Sequence, residues 1–112
     1  MKSITDKAEI SVDFPDKAYM GSFGRESSFD VKVERDDVLL RIVRRGAERR
    51  EVAIHLHYYL LADILEEIGQ GLGEHEPLDK AHHDALRAGA DALSRALKRG
   101  TPRERRKVRS RN

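Results

Sequence analysis

From residue 8 to residue 56 the apolar side chains recur with the period of strands rather than of helices. Ile10, Val12 and Phe14 alternate with Ser11 and Asp13, and Phe29, Val31 and Val33 alternate with Asp30, Lys32 and Glu34. Side chains two apart share one sheet face, so both stretches predict half-buried strands. Arg35-Asp36-Asp37 reads as a turn into Val38–Val43, with Val38, Leu40 and Ile42 on one face. Leu39 and Val43 on the other face mark that strand as central. Arg45-Gly46-Ala47-Glu48 reads as the next turn, with Gly46 free to take positive φ, and Val52, Ile54 and Leu56 form a fourth strand. Between Pro15 and Gly24, Ala18, Met20 and Ser22 alternate with Tyr19 and Phe23, which suits a further edge strand. Short strands joined by tight turns predict an antiparallel meander.

The period changes near His57. Leu61, Ile64, Leu65, Ile68 and Leu72 fall at helical spacing, opposite Asp63, Glu66, Glu67 and Gln70. This predicts a helix from Tyr58 to about Gln70, ended by Gly69, Gly71 and Gly73. Pro77 suits the first turn of a second helix, Leu78 to Arg99, which stops at Gly100-Thr101-Pro102. Its apolar side is rich in alanine (Ala81, Ala85, Ala92, Ala96) and includes Gly89, so another backbone could approach it closely.

Strands first and helices after give an α+β class: an antiparallel meander of about four strands, then two helices. Residues 1–99 read as one α+β domain and residues 100–112 as a disordered basic tail. The expected core is Ile10, Val12, Phe29, Val31, Val33, Val38, Leu40, Ile42, Val52, Ile54, Leu56, Leu61, Ile64, Leu65 and Ile68, with the first helix covering one sheet face. The length of 112 residues admits one domain, and 38% apolar residues with six aromatics make a thin core. A homodimer through the sheet edge or the alanine-rich helix is therefore expected.

The absence of cysteine excludes disulfides, thiolate nucleophiles and cysteine-ligated metals. No apolar run approaches the roughly 18–20 residues that span a bilayer, and the mixed-charge N-terminus lacks a signal-peptide core. A cytoplasmic protein with no membrane contact is expected. His55 and His57 should share a strand face and His82-His83 lie on a helix, but the pairs sit on different elements without zinc-site spacing, so no metal or other cofactor is expected. Carboxylates are placed as a solvated helix face would place them. There is no Gly-x-Ser-x-Gly elbow, and Gly69-Gln70-Gly71-Leu72-Gly73 lacks the Lys-Ser/Thr of a phosphate loop. The expectation is not an enzyme.

Charge is unevenly distributed. The formal net charge is +2, but residues 98–112 carry eight Lys/Arg and one Glu, a local +7, which leaves residues 1–97 at −5 (14 Lys/Arg against 19 Asp/Glu). Two basic clusters are candidate phosphate contacts: Arg41, Arg44, Arg45, Arg49 and Arg50 around one turn, and Arg103, Arg105, Arg106, Lys107, Arg109 and Arg111 in the tail. Arginine's planar fork suits phosphate, and a basic arm neutralises phosphates without reading sequence. The strand–turn–strand–helix order of residues 38–70 resembles the Whirly-type single-stranded-DNA-binding domains, which are dimers. The likeness is topological, and no residue role transfers with it. The expected function is a small non-catalytic binding module that contacts nucleic acid through the Arg-rich hairpin and the tail. The alternative is a homodimeric assembly or adaptor domain that binds protein and no nucleic acid.

Overall fold

The computed structural model describes residues 1–100. It contains antiparallel sheets followed by two helices, the expected α+β class. Strands β1 (Lys2–Ser3), β2 (Ala8–Phe14), β3 (Lys17–Phe23), β4 (Ser27–Val33), β5 (Asp37–Arg44) and β6 (Arg50–His57) precede α1 (Tyr58–Glu74) and α2 (Lys80–Arg99). The chain falls into two compact units that meet at Gly69 and Gln70.

In the first unit, β4, β5 and β6 form the meander that the alternation predicts, with β1 added beside β4 in the order β1-β4-β5-β6. β2 and β3 pair only with each other. The 8–23 region is therefore a separate hairpin arm instead of a continuation of the meander. Its apolar face carries Ile10, Val12, Phe14 and Tyr19, with the Phe14 and Tyr19 rings edge to face at 6.2 Å. Turns close as the sequence suggests: Gly46 takes φ +124° between β5 and β6, and Glu34 N–H donates to Asp37 O at 2.9 Å between β4 and β5. The carbonyl of Ser27, at the start of β4, accepts the N–H of Ile4 at 3.0 Å and ties down the N-terminus.

Register decides the faces. Phe29 lies opposite Ile42, Val31 opposite Leu40 and Val33 opposite Val38, while Val52, Ile54 and Leu56 lie opposite Ile42, Leu40 and Val38. Nine apolar side chains thus share one sheet face. The expected core nevertheless fails as a core. Of its fifteen residues only Ile42 is buried, while Val31 (53% exposed), Val33 (74%) and Ile54 (38%) stand open. The other buried apolar residues among those described are Phe23 and Val43.

The first helix does not cover the face, and no α1 residue is buried. The cause is the connection: β6 ends at His57 and α1 begins at Tyr58. Strand-to-helix connections usually take 2–6 residues. With none, the chain has no turn in which to fold the helix back over the strand it has just left. α1 also runs on to Glu74, through the glycines expected to end it. Each interior glycine costs a helix about 1 kcal/mol, which weakens it without removing a hydrogen bond as proline does.

The second unit holds the end of α1 and α2. α2 begins at Lys80, not at Pro77 or Leu78, because the Asp79 carboxylate accepts the N–H of His82 at 3.3 Å and caps the helix there. It ends at Gly100, whose N–H donates to Ala96 O at 3.0 Å. No helix among the described residues is long and apolar enough to cross a membrane. The expected disordered tail, from residue 101 on, lies outside the described residues.

Candidate interaction surfaces

The arginines around the β5–β6 turn come together, but most arrive already paired. Arg41, in the middle of β5, donates from Nε and Nη2 to Asp30 on β4 at 3.4 and 3.2 Å, and from Nη1 to Glu51 on β6 at 3.3 Å. The Asp30 carboxylate, and then Glu51, pushes the Arg41 guanidinium further up from its ordinary pKa. Arg49 shares Glu51 at 2.9 Å, Arg50 holds Glu48 at 3.3 Å and Arg44 lies 3.8 Å from Glu26. Four carboxylates thus face four guanidiniums. Such exposed pairs add little stability, yet they occupy the donors that would meet a phosphate. Arg45 alone of this cluster has no acidic partner among the described residues. Arg103, Arg105, Arg106, Lys107, Arg109 and Arg111 lie outside the described residues.

The histidines are engaged locally. His55 and His57 do share a face, and both turn toward one carboxylate oxygen of Asp37, at 3.3 and 3.9 Å. His82 Nδ1 lies 2.5 Å from Asp79, and His83 Nδ1 3.0 Å from Asp84. The first contact draws the Asp79 carboxyl below its ordinary range, and Lys80, followed by His83, does the same for Asp84. Among the described residues no three His, Asp or Glu side chains converge in a way that would hold a metal ion.

Two features escaped the sequence reading. The first is which strand forms the long edge: β6, eight residues long and paired on one side only among the described residues, where the sequence suggested a sheet edge without naming the strand. The second is a cleft of about 540 Å³ between the arm and that strand, lined by Ile10, Val12, Tyr19, Gly21, Phe23 and Val52, among others. Arg50 holds the cleft together, its Nη1 reaching Met20 O at 3.5 Å. The alternation of Ile10, Val12 and Val52 was visible in the sequence, but the 39 residues between Val12 and Val52 hide their proximity.

No protein-family model, curated protein or solved structure matches this chain. The functional reading therefore rests on the surfaces themselves.

Proposed function

We propose that this chain is a non-catalytic interaction module that works as a homodimer. The observation that carries the reading is the sheet face of β4, β5 and β6, where nine apolar side chains share one side and only Ile42 is buried. Monomeric soluble proteins rarely leave contiguous apolar patches of this kind uncovered, and larger ones mark interaction sites. The helices add to it: Leu61, Leu65, Ile68 and Leu72 repeat at 4-3-4 spacing on α1, and Leu86, Ala90, Leu93 and Leu97 do so on α2. That is the spacing of helices that pack on other helices. The non-catalytic part rests on the sequence, which has no cysteine and none of the nucleophile or phosphate-loop motifs. A cytoplasmic setting belongs to the same proposal.

Light scattering coupled to size exclusion tests the proposal. At tens of micromolar the protein should elute with twice the chain's 12.8 kDa, since an interface of standard size holds at that concentration. A monomer there overturns it.

A second reading is favoured by one observation, the +7 carried by residues 98–112. In this reading the dimer also binds nucleic acid, through the basic tail with help from Arg45, which has no acidic partner among the described residues. Affinity for a polyanion should then fall steeply with salt, by a log–log slope of roughly −0.9 per phosphate neutralised on duplex. Truncation after Gly100 should abolish it. No binding at about 50 mM salt removes this reading and leaves the dimer intact.

A further inference from the structure

The apolar face says that something must cover this sheet, and the two edges of the sheet differ in what they offer. On one side β1 is two residues long and covers only Ser28 and Phe29, while the rest of that edge, Asp30–Val33 of β4, carries Lys32. The β6 edge runs for eight residues, Arg50-Glu51-Val52-Ala53-Ile54-His55-Leu56-His57, with no proline and no lysine. Its pairing with β5 is continuous from Asp37 opposite His57 to Arg44 opposite Arg50, so no bulge twists it away. Natural sheets protect exposed edges with short strands, proline, lysine or bulges. The β1 side is protected by a short strand and by Lys32; β6 has none of the four.

We propose that β6 pairs antiparallel with β6 of a second copy, about a two-fold axis through Ile54, to form one continuous eight-stranded sheet. The inference rests on the homodimer proposed above and names its seam.

The register follows from side-chain parity. Even-numbered residues of β6 lie on the apolar face and odd-numbered ones on the polar face. A symmetric pairing keeps the two apolar faces on one side only when each residue meets one of the same parity. An axis through Ile54 satisfies this over seven residues. Ile54 then faces Ile54 of the second copy, and Val52 faces its Leu56, so every pair on the apolar side is apolar. On the other side Glu51 meets His57 of the second copy and Ala53 meets its His55. No like charges meet on that side, and Glu51 keeps its own Arg41 and Arg49. An axis through Ala53 keeps parity as well, but it sets Arg50 against Leu56. Arg50 is committed to Glu48 and to the carbonyl of Met20.

The hairpin arm fits the same arrangement. The cleft of about 540 Å³ beside Arg50, Glu51 and Val52 lies against the half of β6 where Leu56 and the start of α1 of the second copy arrive. Tyr59, at the start of the helix that follows β6 without a loop, is 92% exposed in the single chain and free to meet the second copy.

The chain contains no cysteine, so single cysteines report the seam directly. Ile54→Cys, Ala53→Cys and, as a control at the arm tip, Lys17→Cys are oxidised mildly in the full-length protein and run on non-reducing gels, with the mass of each measured beforehand. Only the residue on the axis faces its own copy within disulfide reach. Ile54→Cys should therefore form covalent dimer on the order of tenfold faster than Ala53→Cys or Lys17→Cys. A spin label at residue 54 gives a second readout, with a single short inter-label distance. A dimer by mass whose Ile54→Cys variant cross-links no faster than the control overturns the β6 seam and leaves the homodimer standing. A monomeric mass for every variant and for the parent protein overturns both.

Discussion

The hydroxyl of Tyr58 donates to the backbone carbonyl of Glu34 at 2.6 Å, joining the first residue of α1 to the turn between β4 and β5. Helix and strand meet with no intervening loop, and this bond adds a second tie between the start of α1 and the sheet. Tyr58→Phe keeps the ring and removes the bond. It should lower stability by about 0.5–1 kcal/mol, near the lower end for a hydrogen bond with solvent access. Urea denaturation checks this, and an unchanged midpoint would show that this tie adds nothing to stability.

The N-terminus of α2 should weaken in acid. The folded-state pKa of Asp79 is depressed by its hydrogen bond to His82, so the native chain binds this proton less readily than the unfolded chain does. A depressed carboxyl contributes stability above its unfolded value, about 3.9, and loses that contribution as pH falls through the folded value. The capping bond to the His82 amide is lost with it. Amide exchange at His82 and His83, corrected for intrinsic rates, should speed up below pH about 4. In Asp79→Ala it should be fast already at neutral pH and insensitive to acid.

Carboxylates hold the turn arginines away from anions, so removing one should release a cation. Glu48→Gln frees Arg50 from its ion pair while leaving its contact to Met20 O. Retention on a polyanion column should rise, and the salt slope should steepen by at most about 0.9, the value for one added phosphate contact. No change would mean that the turn lies away from any bound polyanion and that the tail acts alone.

Glycines inside the helices have room to become alanine. A Cβ added at Gly69 or at Gly89 meets nothing within 4 Å. Gly69→Ala and Gly89→Ala should each raise stability by about 0.5–1 kcal/mol through helix propensity and the entropy of the unfolded chain. The two gains should add, since the sites are far apart in sequence and share no partner. With the seam on β6 the dimer is unaffected. A loss of stability or of the dimer would place a second backbone against these helices.

Local chemistry made much of this protein legible from its sequence. Alternation at Phe29–Val33, Val38–Val43 and Val52–Leu56 identified the meander, because a strand's two faces see different solvents and its residues record that with a period of two. Gly46 announced its turn through the conformation only glycine takes easily, and the 4-3-4 spacing after His57 announced α1. What periodicity cannot carry is the distance between elements. It identified Val31, Val33 and Ile54 as facing an apolar environment but not that their own chain leaves them open. That was decided by the missing loop between His57 and Tyr58, which directs α1 away from the face that its stripe was expected to cover. In the same way, the count of arginines in residues 41–50 suggested a phosphate site, while the register that sets Arg41 opposite Asp30 and within reach of Glu51 left most of that charge paired with carboxylates. Pairing across strands depends on which residues end up opposite one another, and only the folded sheet determines that.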